Sequence, residues 1–120
     1  MYLQVPFKHE FKFEDRLEEA RRVLTKYPDR IPIICERSLR AGPDCPIIDK
    51  RKYLVPRDLT IGQFLYVIRK RLHLPSEKAI FLFVGNTIPS TTCLIDQVYH
   101  THKDADNYLY ITYSQENVFG

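Results

Sequence analysis

The sequence predicts an α+β domain, a four-stranded mixed sheet crossed on one face by a single main helix. Three observations lead there. The 120 residues are the length of one domain with one buried core. The stretch Lys52 to Leu74 sets a short alternating strand directly before a capped amphipathic helix. Around it, the apolar patterning reads helix, strand, strand, helix, strand, short helix, strand. Two strands, a crossing helix and two later strands describe a β-grasp, packed most economically as one sheet under one helix.

Each element follows from its residues. Val5-Pro6-Phe7 is too short to assign. Residues 14–26 read as a helix because Leu17, Ala20, Val23 and Leu24 recur at helical spacing, with Glu14 and Asp15 at its start and Lys26 at its end, as the dipole prefers. Tyr27 precedes Pro28 and is biased away from helix, so 27–30 is a break. Ile31 to Arg37 is a strand with Ile31, Ile33 and Cys35 on one face. Pro32 has no N–H, so pairing there is irregular or one-sided. Arg40 to Pro46 is a loop by its glycine and two prolines.

In Lys52 to Val55, Lys52 and Leu54 face one way and Tyr53 and Val55 the other. Pro56 stops the ladder, which makes this strand a possible binding edge. Thr60 and Gln63 form a capping box. Behind them Ile61, Leu65, Ile68 and Leu72 make an apolar stripe widened by Phe64 and Val67. Pro75 to Lys78 is a turn. Ile80 to Val84 is apolar on both faces, as expected of a central strand. Gly85-Asn86 turns the chain, with Thr87-Ile88 pairing back briefly. Leu94 to His100 is a short helix, and Asn107 to Tyr113 a last alternating strand. Ser114 to Gly120 is an extended tail.

Composition narrows the function classes. The chain is 44% hydrophobic and 28% charged, which fits a globular protein and not a disordered one. No run approaches the roughly 18 apolar residues of a membrane span. Lys8, Glu10 and Lys12 interrupt any signal-peptide centre, so the cytoplasm is the expected compartment. Cys35, Cys45 and Cys93 are odd in number and contain no CxxC, so reduced structural thiols are expected. The net charge is +3. Lys50, Arg51, Lys52 and Arg57 precede the main helix and Arg69, Lys70 and Arg71 end it. A solvated helix face and a field that steers an acidic partner both account for this.

The search for catalytic chemistry is mostly negative. Cys93 with His100 or His102 is the best thiol–imidazole pair, but it has no flanking signature of a cysteine hydrolase. His100, His102, Asp104 and Asp106 have the donor types of a weak metal site, yet a polar loop before the last strand explains them more simply. There is neither GxxxxGK[ST] nor GxGxxG. Basic residues near Tyr53 and Phe64 permit nucleic-acid binding by charge and stacking, whereas the apolar stripe assigns both rings to the core. No cofactor and no metal is implied. A terminal glycine, Gly120, has no side chain to clash in a narrow enzyme channel.

Lys26 to Arg30 followed by Ile31-Pro-Ile-Ile34, Lys52 to Pro56, Asp58-Leu-Thr60, Gly62-Gln-Phe64 and Ile68 to Arg71 resemble the autophagy ubiquitin-like modifiers. These are the light-chain-3 and GABA-receptor-associated protein group. Phe81 to Val84, Ile88-Pro89, Leu109 to Ile111 and the ending from Tyr113 to Gly120 continue the match over nearly the whole chain. The resemblance implies a ubiquitin-like β-grasp over 29–113, an N-terminal helical extension with two helices over 1–28, and a conjugation tail over 114–120. It implies no enzymatic activity. Gly120 is then the point of attachment to phosphatidylethanolamine on autophagosomal membranes, through activating and conjugating enzymes and reversed by a delipidating cysteine protease.

The resemblance also implies receptor and cargo peptides of the pattern aromatic-x-x-aliphatic. Their aromatic pocket comprises Glu19, Val23, Pro32, Ile34, Lys52, Leu54 and Tyr108. Their aliphatic pocket comprises Tyr53, Val55, Pro56, Leu59, Phe64 and Val67, with Arg30, Lys50, Arg51 and Arg71 suited to acidic flanks. The Arg40–Pro46 loop looks longer than is usual in the family. Many family precursors carry residues beyond the glycine, whereas this chain stops at it, as a native or a processed end. The rival readings are a ubiquitin-like peptide-binding module that is never lipidated and, more remotely, a basic nucleic-acid-binding domain.

Overall fold

The computed structural model describes residues 4–116. Its first elements are two helices, α1 (Phe7–Glu10) and α2 (Phe13–Lys26). Four strands follow, β1 (Arg30–Arg37), β2 (Lys52–Pro56), β3 (Phe81–Phe83) and β4 (Leu109–Ser114). Helix α3 (Ile61–Leu72) lies between β2 and β3, and α4 (Ile95–His102) between β3 and β4. The sheet order is β2-β1-β4-β3, with β1 and β4 parallel in the centre and both outer pairs antiparallel. This is the mixed four-stranded sheet that the element order predicts.

Period-2 alternation gives the sheet two apolar faces, each with its own cover. Ile31, Ile33, Cys35, Tyr53, Val55, Leu109, Ile111 and Tyr113 join Ile61, Phe64, Ile68 and Leu72 of α3 and Ile95, Val98 and Tyr99 of α4 in the main core. On the opposite face Ile34 and Tyr108 meet Phe7 of α1 and Ala20 of α2 in a second cluster. The Phe7 and Tyr108 rings meet edge-on at 5.5 Å. The N-terminal helices therefore cover a sheet face that would otherwise be exposed.

Pairing at Pro32 is one-sided, and the register shows why. Cys35 N–H donates to Arg51 O at 2.8 Å, so by alternation the odd residues of β1 donate towards β2 and the even ones towards β4. The ladder with β4 begins only at Ile33, so the missing donor of Pro32 faces a side without a partner strand.

Helix α3 is capped as its sequence indicates. Gln63 N donates to Thr60 Oγ1 at 3.1 Å and Thr60 N to Gln63 Oε1 at 2.9 Å. Its second residue has to be small, because a Cβ on Gly62 would lie 3.2 Å from the Thr91 carbonyl oxygen. The α3 C-terminus closes on His73 at φ 56°, with Leu74 N donating to Arg69 O. That left-handed closure is the pattern that satisfies last-turn carbonyls.

Three expectations need correction. Ile80–Val84 is not a central strand: β3 is three residues long, pairs only with β4 and stands at the sheet edge. Leu82 and Phe83 are buried all the same, because burial of both faces reports what covers a strand and not what pairs with it. Val84 leaves the ladder to bridge Thr87 across the turn. Val67 does not widen the α3 stripe and is 39% exposed, because at 3.6 residues per turn it lies roughly 130° from the stripe centre. Finally, β4 includes the buried Ser114, so the chain leaves the sheet one residue later than the alternation suggested.

A buried ion pair joins α2 to the segment before β4. Arg16 Nη1 lies 2.5 Å from Asp106 Oδ2, with Asp106 fully buried. Asp106 also accepts from Tyr110 OH and from the Tyr108 amide, while Arg16 Nε donates to Phe11 O in the α1–α2 link. Breaking such a pair strands a charge in the interior. Asp106→Ala is therefore expected to lower unfolding free energy by about 3–5 kcal/mol, read by urea denaturation; a loss no larger than that of a surface substitution would refute the role given to the pair.

Candidate functional site

The first site feature is a free strand edge. β2 pairs with β1 on one side and, among the described residues, with no strand on the other. Because Ile33 pairs with Tyr53 in the donor-exchanging register, the peptide groups of Lys52 and Leu54 point away from the sheet. Pro56 ends the strand without a donor.

Beside this edge runs an open groove of about 390 Å³, lined by Glu19, Arg22 and Val23 of α2, Pro32 of β1, Lys50 to Leu54 at β2 (Arg51 excepted) and Tyr108. Six of the seven residues assigned to the aromatic pocket, Glu19, Val23, Pro32, Lys52, Leu54 and Tyr108, thus meet in one concavity. The seventh, Ile34, is fully buried in the cluster with Phe7 and Ala20 and is not part of the lining. Arg22 was missed from sequence, although Glu19, Arg22 and Val23 stand at i, i+3 and i+4 and so share a helix face.

The groove has an ordered polar wall. Lys52 Nζ lies 3.1 Å from Glu19 Oε1, and the Tyr108 hydroxyl donates to the same carboxylate. Burial alone raises the Glu19 carboxyl, but the hydrogen bonds from Tyr108 and Lys52 and the charges of Lys52 and Arg22 outweigh it and hold it below the usual glutamate range. Burial and the Glu19 carboxylate both push the Tyr108 phenol up, so it stays a donor.

The residues assigned to the aliphatic pocket are divided. Tyr53, Val55 and Phe64 are buried in the main core, with the Tyr53 and Phe64 rings edge-to-face at 5.5 Å. Leu59 packs partly against that core, and Pro56 is exposed at the strand end. Val67 lines a separate opening with Asp49, Lys70, Arg71 and His73.

The four cations assigned to acidic flanks also differ. Arg30 is exposed, and Lys50 lies 5.1 Å from the Tyr53 ring centroid. Arg71 pairs with Asp49 at 2.8 Å on the surface. Arg51 is turned inward: it pairs with Glu10 and with Glu36, and donates to Val5 O at 2.9 Å.

The loop before β4 is occupied by structural bonds. Asp104 pairs with Lys8 at 2.5 Å, Asp106 holds Arg16, and the His100 ring is 2.8 Å from Asp96 O. Among the described residues no group of three His, Cys, Asp or Glu side chains is placed to hold a metal ion. Burial pushes the Cys35 thiol far up, with the Glu36 charge adding to it, which suits packing and not nucleophilic attack.

A β-grasp carrying two N-terminal helices, with an open groove beside a free strand edge, defines a ubiquitin-like protein. Comparison with known proteins gives the family. Residues 15–120 match the family described as "Autophagy protein Atg8 ubiquitin like". The chain is 58% identical over 114 residues to autophagy-related protein 8 of Kluyveromyces lactis, covering 95% of this chain and 90% of that one. It is 56% identical over 114 residues to that of Saccharomyces cerevisiae, covering 95% and 96%. Two solved structures are similar: Trypanosoma brucei ATG8 (TM-score 0.85, 38% identity, 93% and 95% covered) and Plasmodium falciparum Atg8 in complex with a P. falciparum Atg3 peptide (0.86, 36%, 95% and 98%). The chain belongs to the Atg8 family of autophagy ubiquitin-like proteins.

The lowered Glu19 carboxyl gives a pH prediction whose sign is fixed. A depressed folded-state value contributes stability that is complete above the ordinary value of 4.5 and is lost as pH falls through the lowered one. Glu19→Gln is thus expected to be less stable than the unaltered chain at neutral pH and equally stable in acid. In urea titrations the gap should narrow as pH falls below 4.5; a gap that is constant with pH would contradict the polar wall.

Proposed function

We propose that this chain is a ubiquitin-like modifier of autophagy, conjugated through the carboxyl of Gly120 to phosphatidylethanolamine on autophagosomal membranes. In the same reading it docks aromatic-x-x-aliphatic peptides of receptors and cargo on β2. The observation that carries the docking is the free edge of β2 beside the groove. A peptide strand would bond to the outward peptide groups of Lys52 and Leu54 and send its aromatic side chain into the groove. Its aliphatic side chain, spaced by two residues, would reach the Leu59 and Val67 side of α3, where Tyr53 and Phe64 must shift to admit it. Burial of the two anchors contributes about 1.5–3 kcal/mol each, so micromolar affinity is expected after ordering costs.

Conjugation rests on family membership and on the chemistry of glycine, since Gly120 lies outside the described residues. The carboxyl is activated and carried as a thioester by activating and conjugating enzymes, which supply the cysteine nucleophiles. The lipid amine attacks the thioester carbonyl, an amide forms and the thiol leaves. A delipidating cysteine protease hydrolyses that amide: its thiol takes the acyl group as the lipid amine leaves, and water then frees the Gly120 carboxyl. The Plasmodium Atg8 bound to an Atg3 peptide supports a conjugating enzyme as one partner class. The protein is not itself an enzyme, and it is cytoplasmic until two acyl chains anchor it stably.

Two experiments test the two halves. Tyr53 is unsuitable for probing docking because it is a core residue, so Leu54, half-buried at the groove, is the choice. Leu54→Ala is expected to weaken an aromatic-x-x-aliphatic peptide by about tenfold in calorimetry, equal to losing much of one buried aliphatic contact. Unchanged affinity would remove the edge from the account. For conjugation, deletion of Gly120 should leave folding and peptide affinity as they are, yet leave the protein soluble in starved cells where the intact chain becomes punctate. Lipid-linked protein without the glycine, or none with it, would favour the unconjugated peptide-binding module instead.

A further inference from the structure

We propose that the loop from Ser38 to Pro46 is a socket that fixes the root of the C-terminal segment, with Arg37 and Cys45 as its positioning residues. As far as it concerns delivery of the terminal carboxyl, this rests on the modifier reading above. The loop is fastened to the end of β4 from both sides. At its start Ser38 N donates to Tyr113 O at 2.8 Å. At its end the Tyr113 hydroxyl donates to Pro46 O at 2.7 Å and accepts from Ile48 N at 2.8 Å.

Between these anchors the loop is shaped from within. Arg37 Nη2 donates to Gly42 O at 2.8 Å and to Ala41 O at 3.3 Å, and Cys45 N donates to the same Gly42 carbonyl at 3.1 Å. This fold presses the Cys45 side chain, 4% exposed, into the main core. There the Gln115 amide and the Arg37 charge act on the sulfur, while burial keeps the thiol protonated. A Cβ on Gly42 would lie 3.7 Å from the Glu116 carboxylate. Gln115, the first residue beyond β4, is half-buried, and Glu116, though exposed, carries its carboxylate close to the loop at Gly42. Glu116 N is further held by Ser114 Oγ at 3.2 Å, with Ser114 itself buried.

The physical consequence concerns aim. A flexible segment reaches an enzyme cleft over a wide cone, whereas one whose first residues are fixed samples a narrower one. A narrower cone raises the fraction of encounters in reacting geometry. The loop spans from the end of β4's neighbour β1 to the far side of Tyr113, with Arg37 holding it closed.

The test uses the full chain and two variants. Arg37→Gln removes the guanidinium that shapes the loop, and Tyr113→Phe removes the hydroxyl that fastens its far end. Amide exchange at Gln115 and Glu116 is expected to accelerate about tenfold in Arg37→Gln and measurably in Tyr113→Phe. Peptide affinity at β2 should be unchanged. In reconstituted conjugation with the family's enzymes and phosphatidylethanolamine vesicles, kcat should fall about fivefold with KM unchanged, a split that global destabilisation does not produce. Exchange as slow as in the unaltered chain overturns the socket, and so does faster exchange with an unaltered kcat. If the unaltered chain is not conjugated at all, the modifier reading fails and the socket stands or falls on exchange alone.

Discussion

The buried contact between Arg16 and Asp106 is the constraint on which the groove depends. Asp106 is fully buried and its carboxylate is shared among a guanidinium, a phenol and an amide. That satisfaction is what makes a charge tolerable in the interior, since a carboxylate with fewer partners is strongly disfavoured there. The amide it holds belongs to Tyr108, whose hydroxyl reaches Glu19 on α2. Thus one carboxylate sets α2 against the sheet and orients the phenol that walls the groove. The chain from Phe11 O through Arg16 and Asp106 to Tyr108 and Glu19 ties two helices and the approach to β4 into one cleft.

Much of this was legible in the sequence, and the part that was not has a physical reason. The Thr60–Gln63 cap, the α3 stripe and the alternation of β1 and β4 are local patterns, so they could be read residue by residue. The edge position of β3 could not, because pairing partners are decided across the chain and Ile80 to Val84 carries only the signal of covered faces. Asp106 read as a polar loop residue. Its burial depends on Arg16, ninety positions away, and no local pattern carries such a pairing. In the site, the shared side of Lys52 and Leu54 follows from strand alternation and Val23 came only from the family resemblance, whereas the inward turn of Arg51 follows only from where α1 docks. The core placement of Tyr53 and Phe64 was legible from the apolar stripe, whereas their edge-to-face contact is tertiary.

The inward turn of Arg51 bears on how the basic charge is used. Of the residues that make the middle of the chain look basic, Arg51 is bound by two carboxylates, Arg57 pairs with Asp96 at 2.6 Å, Arg71 with Asp49, and Lys52 with Glu19. A phosphate backbone is best met by cations that are free to release their counterions to it. Here several cations already have carboxylate partners, and the groove between them is walled by an acidic side chain.

The two edges of the sheet differ in a way that assigns them different uses. β3 is three residues long and its chain turns back at Val84 to Thr87, so it has little length for another strand to follow. β2 has five residues, but an open edge of that kind is a hazard for pairing with copies of itself. Lys52 places a charge on it and Pro56 removes a donor at its end, the two devices by which natural edges resist such pairing. What they leave open is the short span between them, the outward peptide groups of Lys52 and Leu54 with a groove alongside. The charge of Lys52 and the missing donor of Pro56 thus confine further pairing at this edge to that short span.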